Sequence, residues 1–506
     1  MPPETAVSTS HSALDPKRWQ ALVFISLAQL MVVVDATIVN IALPSAQADL
    51  DISDGNRQWV ITAYALAFGG LLLFGGRVAD LWGRRRAFII GLVGFALASA
   101  IGGAAQNEAM LYASRALQGV FGALLAPAAL SLLTVLFTDV KERAKAFGIF
   151  GAIAGAGAAV GLLLGGSLTD YLDWRWTFFV NIPFAGIAAL GAWLVIREPA
   201  ESRNRSTLDI PGVVLGSLGL VALVYGFARA EHEDWTESIT VLMFVAAAVL
   251  LTAFVIVEAK VKSPLLPLRV VTDRNRGGAY ASLGLAMIGM FGLFLFLTYY
   301  LQIVRGYSPV KTGVAFLPMV AGMIIGSTMI GTRLVTRVPP RVLMVPGFLV
   351  AAVGMLMLTQ LSLDTSYLGM IVPAQVLLGL GLGTAFMPGM SLATERVKPT
   401  DAGVASAMVN VSQQVGGAIG TALLNTIAAS ATTSYFNDHV AGSTNEQLLT
   451  FSAMVEGYTS AIWWAFFILL GAAAIAALLI NSKGNQGPAT SGEGAGDGQP
   501  VPVMVH

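Results

Sequence analysis

The sequence has no cysteine and little charge. Of its 506 residues, 11% are Asp, Glu, Lys or Arg and 56% are hydrophobic, whereas soluble domains carry about 25% charged residues. The missing thiols exclude disulfides, cysteine nucleophiles and cysteine metal sites. All four histidines lie outside the long apolar runs, which excludes a histidine proton relay inside a membrane. The low charge excludes a soluble globular protein.

Several functional signatures are also absent. The chain has no GKS or GKT phosphate-binding loop, no HExxH and no GxSxG, so we expect no enzyme activity. Its basic residues occur in short clusters and not in an extended patch, so we expect no nucleic-acid partner. Nothing in the sequence calls for a cofactor or a metal.

Long apolar runs make up most of the chain. A helix needs about 20 apolar residues to cross the hydrocarbon core, and within lipid only helices close the backbone hydrogen bonds of such runs. The runs begin near Trp19, Arg57, Ala87, Met110, Lys145, Trp176, Asp209, Ser238, Ala279, Val310, Val342, Leu368, Ala402 and Tyr458. The sequence therefore predicts an all-α polytopic protein of the cell membrane with about 14 transmembrane helices. The first run is interpreted as an uncleaved span.

Basic residues predict the orientation. If the N-terminus is cytoplasmic, most Lys and Arg fall in loops on that side, which predicts that both termini are cytoplasmic. The predicted segments are a cytoplasmic N-terminal segment (1–18), an N-terminal six-helix half (19–198), two extra helices (199–276), a C-terminal six-helix half (277–482) and a disordered tail (483–506). The polar stretch 430–457 is predicted to be the longest outer connection.

Asp35 is the acidic residue that the pattern places inside the membrane. It lies in the apolar run 21–42, where an ionised carboxylate is unfavourable by roughly 2.5 to 3.5 kcal/mol, so it is a candidate functional residue. The alternative is a structural acid that pairs with another helix. Arg115 is also predicted within a span, and Gln118 shares its helix face. Arg115 either hydrogen-bonds backbone carbonyls as a tertiary lock or modulates Asp35.

The fourth and twelfth runs resemble each other. Arg115 precedes Gly119 by four residues, as Gln375 precedes Gly379, and the loop that begins at Gly76 has a degenerate counterpart at Gly331. Internal repeats of this kind are typical of secondary transporters.

Five segments carry a family resemblance. Residues 76–86 read GRVADLWGRRR, 34–44 VDATIVNIALP, 111–119 LYASRALQG, 208–212 LDIPG and 300–318 YLQIVRGYSPVKTGVAFLP. In these segments, and over roughly 20–480, the chain resembles the fourteen-span drug:proton antiporter family of the major facilitator superfamily. The resemblance implies the major facilitator fold, with two six-helix halves and two extra central helices.

The resemblance also implies roles for particular residues. Asp35 and Arg115 are expected to couple transport to protons, and the loop residues Gly76, Asp80, Gly83, Arg84 and Arg86 are expected to gate the cytoplasmic side. The antiporter-motif helix corresponds to Gly157, Gly161, Gly165 and Gly166. The chain departs from this motif at Leu162, where the family has proline.

The substrate is expected to contact polar or amphipathic groups within or beside spans. These are Gln29, Tyr64, Gln118, Asn181, Tyr299, Gln302, Gln375, Asn410, Gln413 and Gln414; for any one of them, packing between helices or against lipid is the competing interpretation. The predicted function is export of hydrophobic, neutral or monocationic small molecules, such as drugs or antibiotics, in exchange for protons by a monomer. The alternative is a carrier without proton coupling or a lipid translocase.

Overall fold

A computed structural model of the protein describes residues 16–53, 59–197, 208–232, 235–335, 337–395, 397–440 and 445–481. The predicted disordered tail, and most of the predicted N-terminal segment, lie outside the described residues. Regular structure in the described part of the chain is helical, without strands, as the apolar runs predict.

The described residues form fourteen long helices. They are α1 (Arg18–Asp49), α2 (Trp59–Trp82), α3 (Arg84–Gly103), α4 (Glu108–Leu136), α5 (Val140–Tyr171), α6 (Trp176–Val195), α7 (Ile210–His232), α8 (Ser238–Glu258), α9 (Arg274–Val304), α10 (Val310–Leu334), α11 (Pro340–Leu358), α12 (Tyr367–Ala393), α13 (Ala402–His439) and α14 (Glu446–Leu479). Thirteen of them are long and apolar enough to cross a membrane, and α5 contributes the shorter apolar stretch Val160–Thr169 within its 32 residues.

The polar stretch 430–457 is helical over most of its length, and the predicted helix start near Tyr458 is wrong. Helix α13 continues to His439, and α14 begins at Glu446 and not near Tyr458. The stretch contains no proline, and the Asn445 side chain caps α14. Polarity alone therefore did not end these helices.

Packing holds the two extended helices together in this region. A Cβ on Gly457 of α14 would meet the Ala428 carbonyl oxygen and the Thr432 side chain of α13. Such close backbone approach favours a helical hairpin, because small residues let two helices meet over several turns.

The internal repeat reappears in helix contacts. In the N-terminal half, Gly119 of α4 lies against the Tyr64 carbonyl of α2; in the C-terminal half, Gly379 of α12 lies against the Met319 carbonyl of α10. Gln375, the counterpart of Arg115, is fully buried like Arg115. The two halves therefore use equivalent glycines to pack equivalent helices.

The inserted helices α7 and α8 pack on each other, and α7 also packs on α2 and on α13. A Cβ on Gly70 of α2 would meet Val221 of α7, and Gly216 of α7 lies against the Phe254 ring of α8. Helix α7 thus touches one helix from each half.

A glycine face on α5 brings α1 close. Cβ atoms on Gly157, Gly161 and Gly165 would meet Val33, Thr37 and Ile38 of α1, respectively. These α1 residues flank Asp35, so the glycine face determines how deeply the Asp35 segment sits against α5. Gly166, the fourth predicted motif glycine, is buried.

Substituting this face is expected to impair the protein. In Gly161→Ala the new methyl group overlaps the Thr37 hydroxyl, so α1 must shift, at a cost of roughly 1–3 kcal/mol for overpacking. Gly151→Ala on the same helix is the matched control, because nothing lies within 4 Å of its Cβ position. We expect a lower melting temperature and slower transport for Gly161→Ala alone; equal behaviour of the two variants would contradict the packing argument.

Candidate functional site

Asp35 is fully buried in α1 and accepts three hydrogen bonds from side chains of other helices. Arg115 Nη1 of α4 donates to Oδ2 at 2.7 Å. Gln118 Nε2 of α4 and Asn181 Nδ2 of α6 donate to Oδ1 at 3.0 and 2.7 Å. Among the described residues, the hydrogen-bond partners of the two oxygens are three N–H donors, an arrangement that suits an ionised carboxylate.

Arg115 both hydrogen-bonds a backbone carbonyl and pairs with Asp35, the two roles that the sequence presents as alternatives. Its Nη1 forms the ion pair with Asp35, while its Nε donates to the Val60 carbonyl of α2 at 2.9 Å. The guanidinium also lies over the Tyr64 ring, 4.5 Å from the centroid, a cation–π distance. Arg115 therefore ties α1 and α2 to α4.

Two amides and a hydroxyl extend this network. Gln118 Oε1 accepts from Arg115 at 2.7 Å, and Gln118 Nε2 also donates to Ser99 of α3 at 2.7 Å. Asn181 is fully buried, and its Oδ1 has no hydrogen-bond partner among the described residues. The Asp35 network thus draws side chains from α1, α3, α4 and α6.

In the sequence, Asn181 is predicted as a possible substrate contact, and Ser99 carries no signal of its own. An amide inside a span is a general signal of a polar partner. It does not identify the partner, since Asp35 and Asn181 are 146 residues apart.

Protonation of Asp35 would disrupt this arrangement. A protonated carboxyl loses its ion pair with Arg115, and one of its oxygens becomes a donor that needs an acceptor. Asn181 can supply one, because rotation of its amide by half a turn presents Oδ1 in place of Nδ2. The site can therefore distinguish a charged from a neutral Asp35 through atoms already in place.

A second buried carboxylate joins the two halves at the end of the bundle that carries Arg84, Arg143 and Arg269, called here the basic end. Asp80 of α2 is fully buried and accepts from the Gly403 and Val404 amides of α13 at 2.9 and 3.2 Å. These are unsatisfied N–H groups of a helix N-terminus, where an anion is stabilised.

Arg84 holds Asp80 in position. Its Nη2 donates to Asp80 Oδ1 at 2.7 Å and its Nε to Ser131 Oγ of α4 at 2.6 Å. Both charged side chains are fully buried. Removing either partner would leave an uncompensated buried charge, which is strongly destabilising.

The other predicted gating residues have different environments. A Cβ on Gly76 would lie 2.7 Å from the Gly403 carbonyl oxygen and from Ala407 Cβ of α13, so only glycine fits there. Gly83 has φ 101°, which favours glycine at the turn between α2 and α3. Arg86 is exposed, so the buried contact is made by Arg84.

Further contacts close the basic end. Arg143 of α5 donates to Thr394 Oγ1, just after α12, at 2.7 Å. It also donates to the carbonyl of Ser391, within α12, at 3.2 Å. Arg269 pairs with Asp401 at 2.6 Å, just before α13. The N-terminal half, the segment after α8 and the C-terminal half therefore meet at this end.

Three acidic residues at helix ends have lowered pKa values because an arginine pairs with each of them. The hydrogen bond from Arg229 lowers the pKa of Glu237 to about 2, and the hydrogen bond from Arg175 holds the pKa of Asp49 below its usual value. The hydrogen bond from Arg18 does the same for the pKa of Glu142. These acids stay ionised at neutral pH.

The predicted substrate residues have different contacts. Tyr64 and Gln118 belong to the Asp35 network. Gln414 of α13 lies against Gly69 of α2, between the halves. Asn410 Nδ2 donates to its own helix, at the Ser406 carbonyl.

The remaining predicted substrate residues differ in their exposure. Tyr299 is 40% exposed and lies beside the Tyr458 ring, while Gln29, Gln302 and Gln413 are half-buried. Gln375 is fully buried, and neither amide atom has a hydrogen-bond partner among the described residues. Their contact with substrate stays a prediction.

Leu162 replaces the motif proline at the boundary between the halves. A Cβ on Gly313 of α10 would lie 3.3 Å from Leu162 Cβ and 3.1 Å from the Leu163 side chain. Helix α5 is continuous over Val140–Tyr171, as expected where no proline interrupts the hydrogen bonds.

Comparison with known proteins agrees with this architecture. The puromycin resistance protein pur8 of Streptomyces alboniger is 55% identical over 471 residues, which cover 93% of this chain and 92% of that protein. The cephamycin export protein CmcT of Amycolatopsis lactamdurans is 39% identical over 417 residues, covering 81% and 85%. A solved structure of the human organic anion transporter MFSD10 shares the fold, with a TM-score of 0.59 at 15% identity, over 90% of this chain and 99% of that one.

The family model for the Major Facilitator Superfamily matches residues 25–421. The resemblance of the sequence motifs, the helical architecture and the relatives agree on a multi-pass transporter of the cell membrane that is not an enzyme. The chain belongs to the major facilitator superfamily.

Proposed function

We propose that the protein is a proton-coupled antiporter that exports hydrophobic, neutral or monocationic small molecules by alternating access. The observation that carries the proposal is the buried Asp35, held by Arg115, Gln118 and Asn181. An ionisable group inside a membrane protein is costly and marks an ion pathway. The three donors around Asp35 stabilise its ionised form more strongly than its neutral form.

The coupling step is a competition between a proton and Arg115. When Asp35 binds a proton, Arg115 keeps the Val60 carbonyl and Gln118 as partners but loses its counter-ion. The contact of α1 with α4 is then weaker, because the ion pair is replaced by hydrogen bonds to a neutral carboxyl. Because α1 also packs on the glycine face of α5, its movement reaches a helix that contacts α10 and α12 of the other half.

The contact of Asp80 with α13 acts as a gate at the basic end of the bundle. It joins α2 to the start of α13 and must break if the two halves separate at the basic end. With the predicted orientation this end is cytoplasmic, and the structure is closed there. Breaking and remaking this contact in each cycle would expose the interior to the two sides in turn.

One proton exchanged through Asp35 per cycle provides enough energy to concentrate a neutral substrate. A proton carries roughly 2.3 kcal/mol per 100 mV and about 1.4 kcal/mol per pH unit. Together these support a substrate gradient on the order of several hundredfold. For a monovalent cation the one-for-one exchange is electroneutral, and only the pH term remains.

The relatives support an antibiotic-like substrate. One is named for resistance to puromycin and the other for export of cephamycin. Similarity over most of both chains favours a small organic molecule made or encountered by the cell.

Transport in proteoliposomes tests the coupling. With puromycin as the probe, we expect uptake into inside-out vesicles to follow an imposed pH gradient and to stop when a protonophore dissipates it. Uptake of the same rate with and without the gradient would identify the alternative, a carrier without proton coupling. This alternative is retained because the chain has Leu162 where the family's antiporter motif has proline.

A further inference from the structure

A second pair of buried carboxyls lies in the inserted helices. Asp209 immediately precedes α7, and Glu258 is the last residue of α8. Both lie at the basic end, because Glu258 interacts with Asp209 and with Arg77, whose charge also acts on Asp80. They are 8% and 4% exposed. Neither takes part in the Asp35 network or in the contact of Asp80 with α13.

One oxygen of each carboxyl is bound and the other is not. Asp209 Oδ1 accepts from the Gly212 amide and Glu258 Oε2 from the Leu266 amide, both at 2.9 Å. Asp209 Oδ2 and Glu258 Oε1 are buried and receive no hydrogen bond from the described residues. Both oxygens lie within 2.6 Å of the position that a Cβ on Gly212 would occupy.

Two such oxygens side by side are unfavourable if both carboxyls are ionised. Like charges repel strongly in a low-dielectric interior, and each oxygen would be a buried acceptor without a donor. A single proton removes both problems, because the two side chains are in hydrogen-bond contact and a protonated oxygen of one carboxyl can donate to the other.

The charged residues near Asp209 and Glu258 favour a pair that carries one proton and one negative charge. Arg77 of α2 is 2% exposed, and its charge acts on Glu258 as well as on Asp80. The single positive charge of Arg77 acts on both Asp80 and Glu258, so it offsets at most one negative charge on the pair. Lys260 and Lys262, after α8, are exposed, and Arg269 is paired with Asp401.

We propose that Asp209 and Glu258 bind one proton between them, at a site separate from Asp35 and built into the inserted helix pair. The ligand is a proton from the aqueous phase at the basic end. Gly212 is required at this place because any side chain would separate the two oxygens. Since α7 packs on both α2 and α13, the site lies on the helix that bridges the halves beside the Asp80 contact.

Infrared spectroscopy of the purified full-length protein tests this site without transport. We expect the wild type at neutral pH to show a carbonyl band of a buried protonated carboxylic acid that shifts in D2O. Glu258→Gln and Asp209→Asn should each remove this same band, because the new amide donates to the carboxylate that remains. Glu237→Gln is the matched control, since Glu237 is ionised by its pairing with Arg229.

The outcomes separate this site from the others. Loss of the band in both single variants and its retention in Glu237→Gln and in Asp35→Asn support the shared proton. A band that survives either substitution, or that is absent from the wild type, overturns it. Failure of proton-coupled transport, by contrast, would leave the band unchanged.

Thermal stability provides a second measurement on folded protein. If the folded state keeps one proton that the unfolded carboxyls release, the folding equilibrium of the wild type weakens up to tenfold for each unit of rising pH above the range of free carboxyls. Glu258→Gln and Asp209→Asn should lose this contribution while Glu237→Gln keeps it. Identical pH dependence in all four proteins would contradict the proposal.

Discussion

Asp35→Asn is expected to abolish proton-driven efflux while the protein still inserts and folds. The asparagine side chain is nearly isosteric, and its oxygen still accepts from Arg115, but it cannot bind and release a proton. Removing one partner of a fully buried ion pair destabilises by roughly 3–5 kcal/mol where the other charge is left unsatisfied. Here Arg115 keeps the Val60 carbonyl and Gln118, so we expect a smaller loss.

The measurement is pH-driven uptake of puromycin in proteoliposomes, together with the melting temperature. Asp49→Asn is the matched control, because Asp49 ends the same helix but has a side chain that is 47% exposed and paired with Arg175. We expect this control to transport normally. Undiminished pH-driven uptake by Asp35→Asn would exclude Asp35 as the coupling group.

Asp80→Asn is expected to open the basic end and to slow transport strongly. The substitution removes the charge that the two α13 amides and Arg84 stabilise, and hydrogen bonds to charged groups contribute about 1.5–3 kcal/mol each. Loss of even one such bond favours separation of the halves roughly tenfold or more. A carrier held open on one side cannot complete its cycle.

The opening can be measured directly because the chain has no cysteine. A thiol introduced by Ala407→Cys lies against Gly76, at a position that is fully buried in the closed state. We expect thiol reagents to label it faster in Asp80→Asn.

Two arginine variants provide a matched comparison. Arg84→Gln should also accelerate labelling, because Arg84 is the buried partner of Asp80, whereas Arg86→Gln should not, because Arg86 is exposed. Equal labelling rates in all three variants would contradict a gating role for the Asp80 contact.

Hydrophobicity was enough to predict the helices. Most runs began within a few residues of the observed helix starts because burial in lipid leaves the backbone no alternative to a helix. The exception was α14, which begins at Glu446 where a start near Tyr458 was expected. Beyond the hydrocarbon core the length of a helix depends on its neighbour, and the contact of Gly457 with α13 cannot be seen in a hydropathy pattern.

The sequence by itself determined that this is a helical membrane protein, that Asp35 and Arg115 are costly inside it, and that the 76–86 loop belongs to a known type. Only the tertiary structure decided the partners. It brought Asn181 to Asp35, the amides of α13 to Asp80, and Asp209 to Glu258. Solvation energy depends on residue type and is therefore readable in sequence, whereas pairing depends on which distant helices pack together.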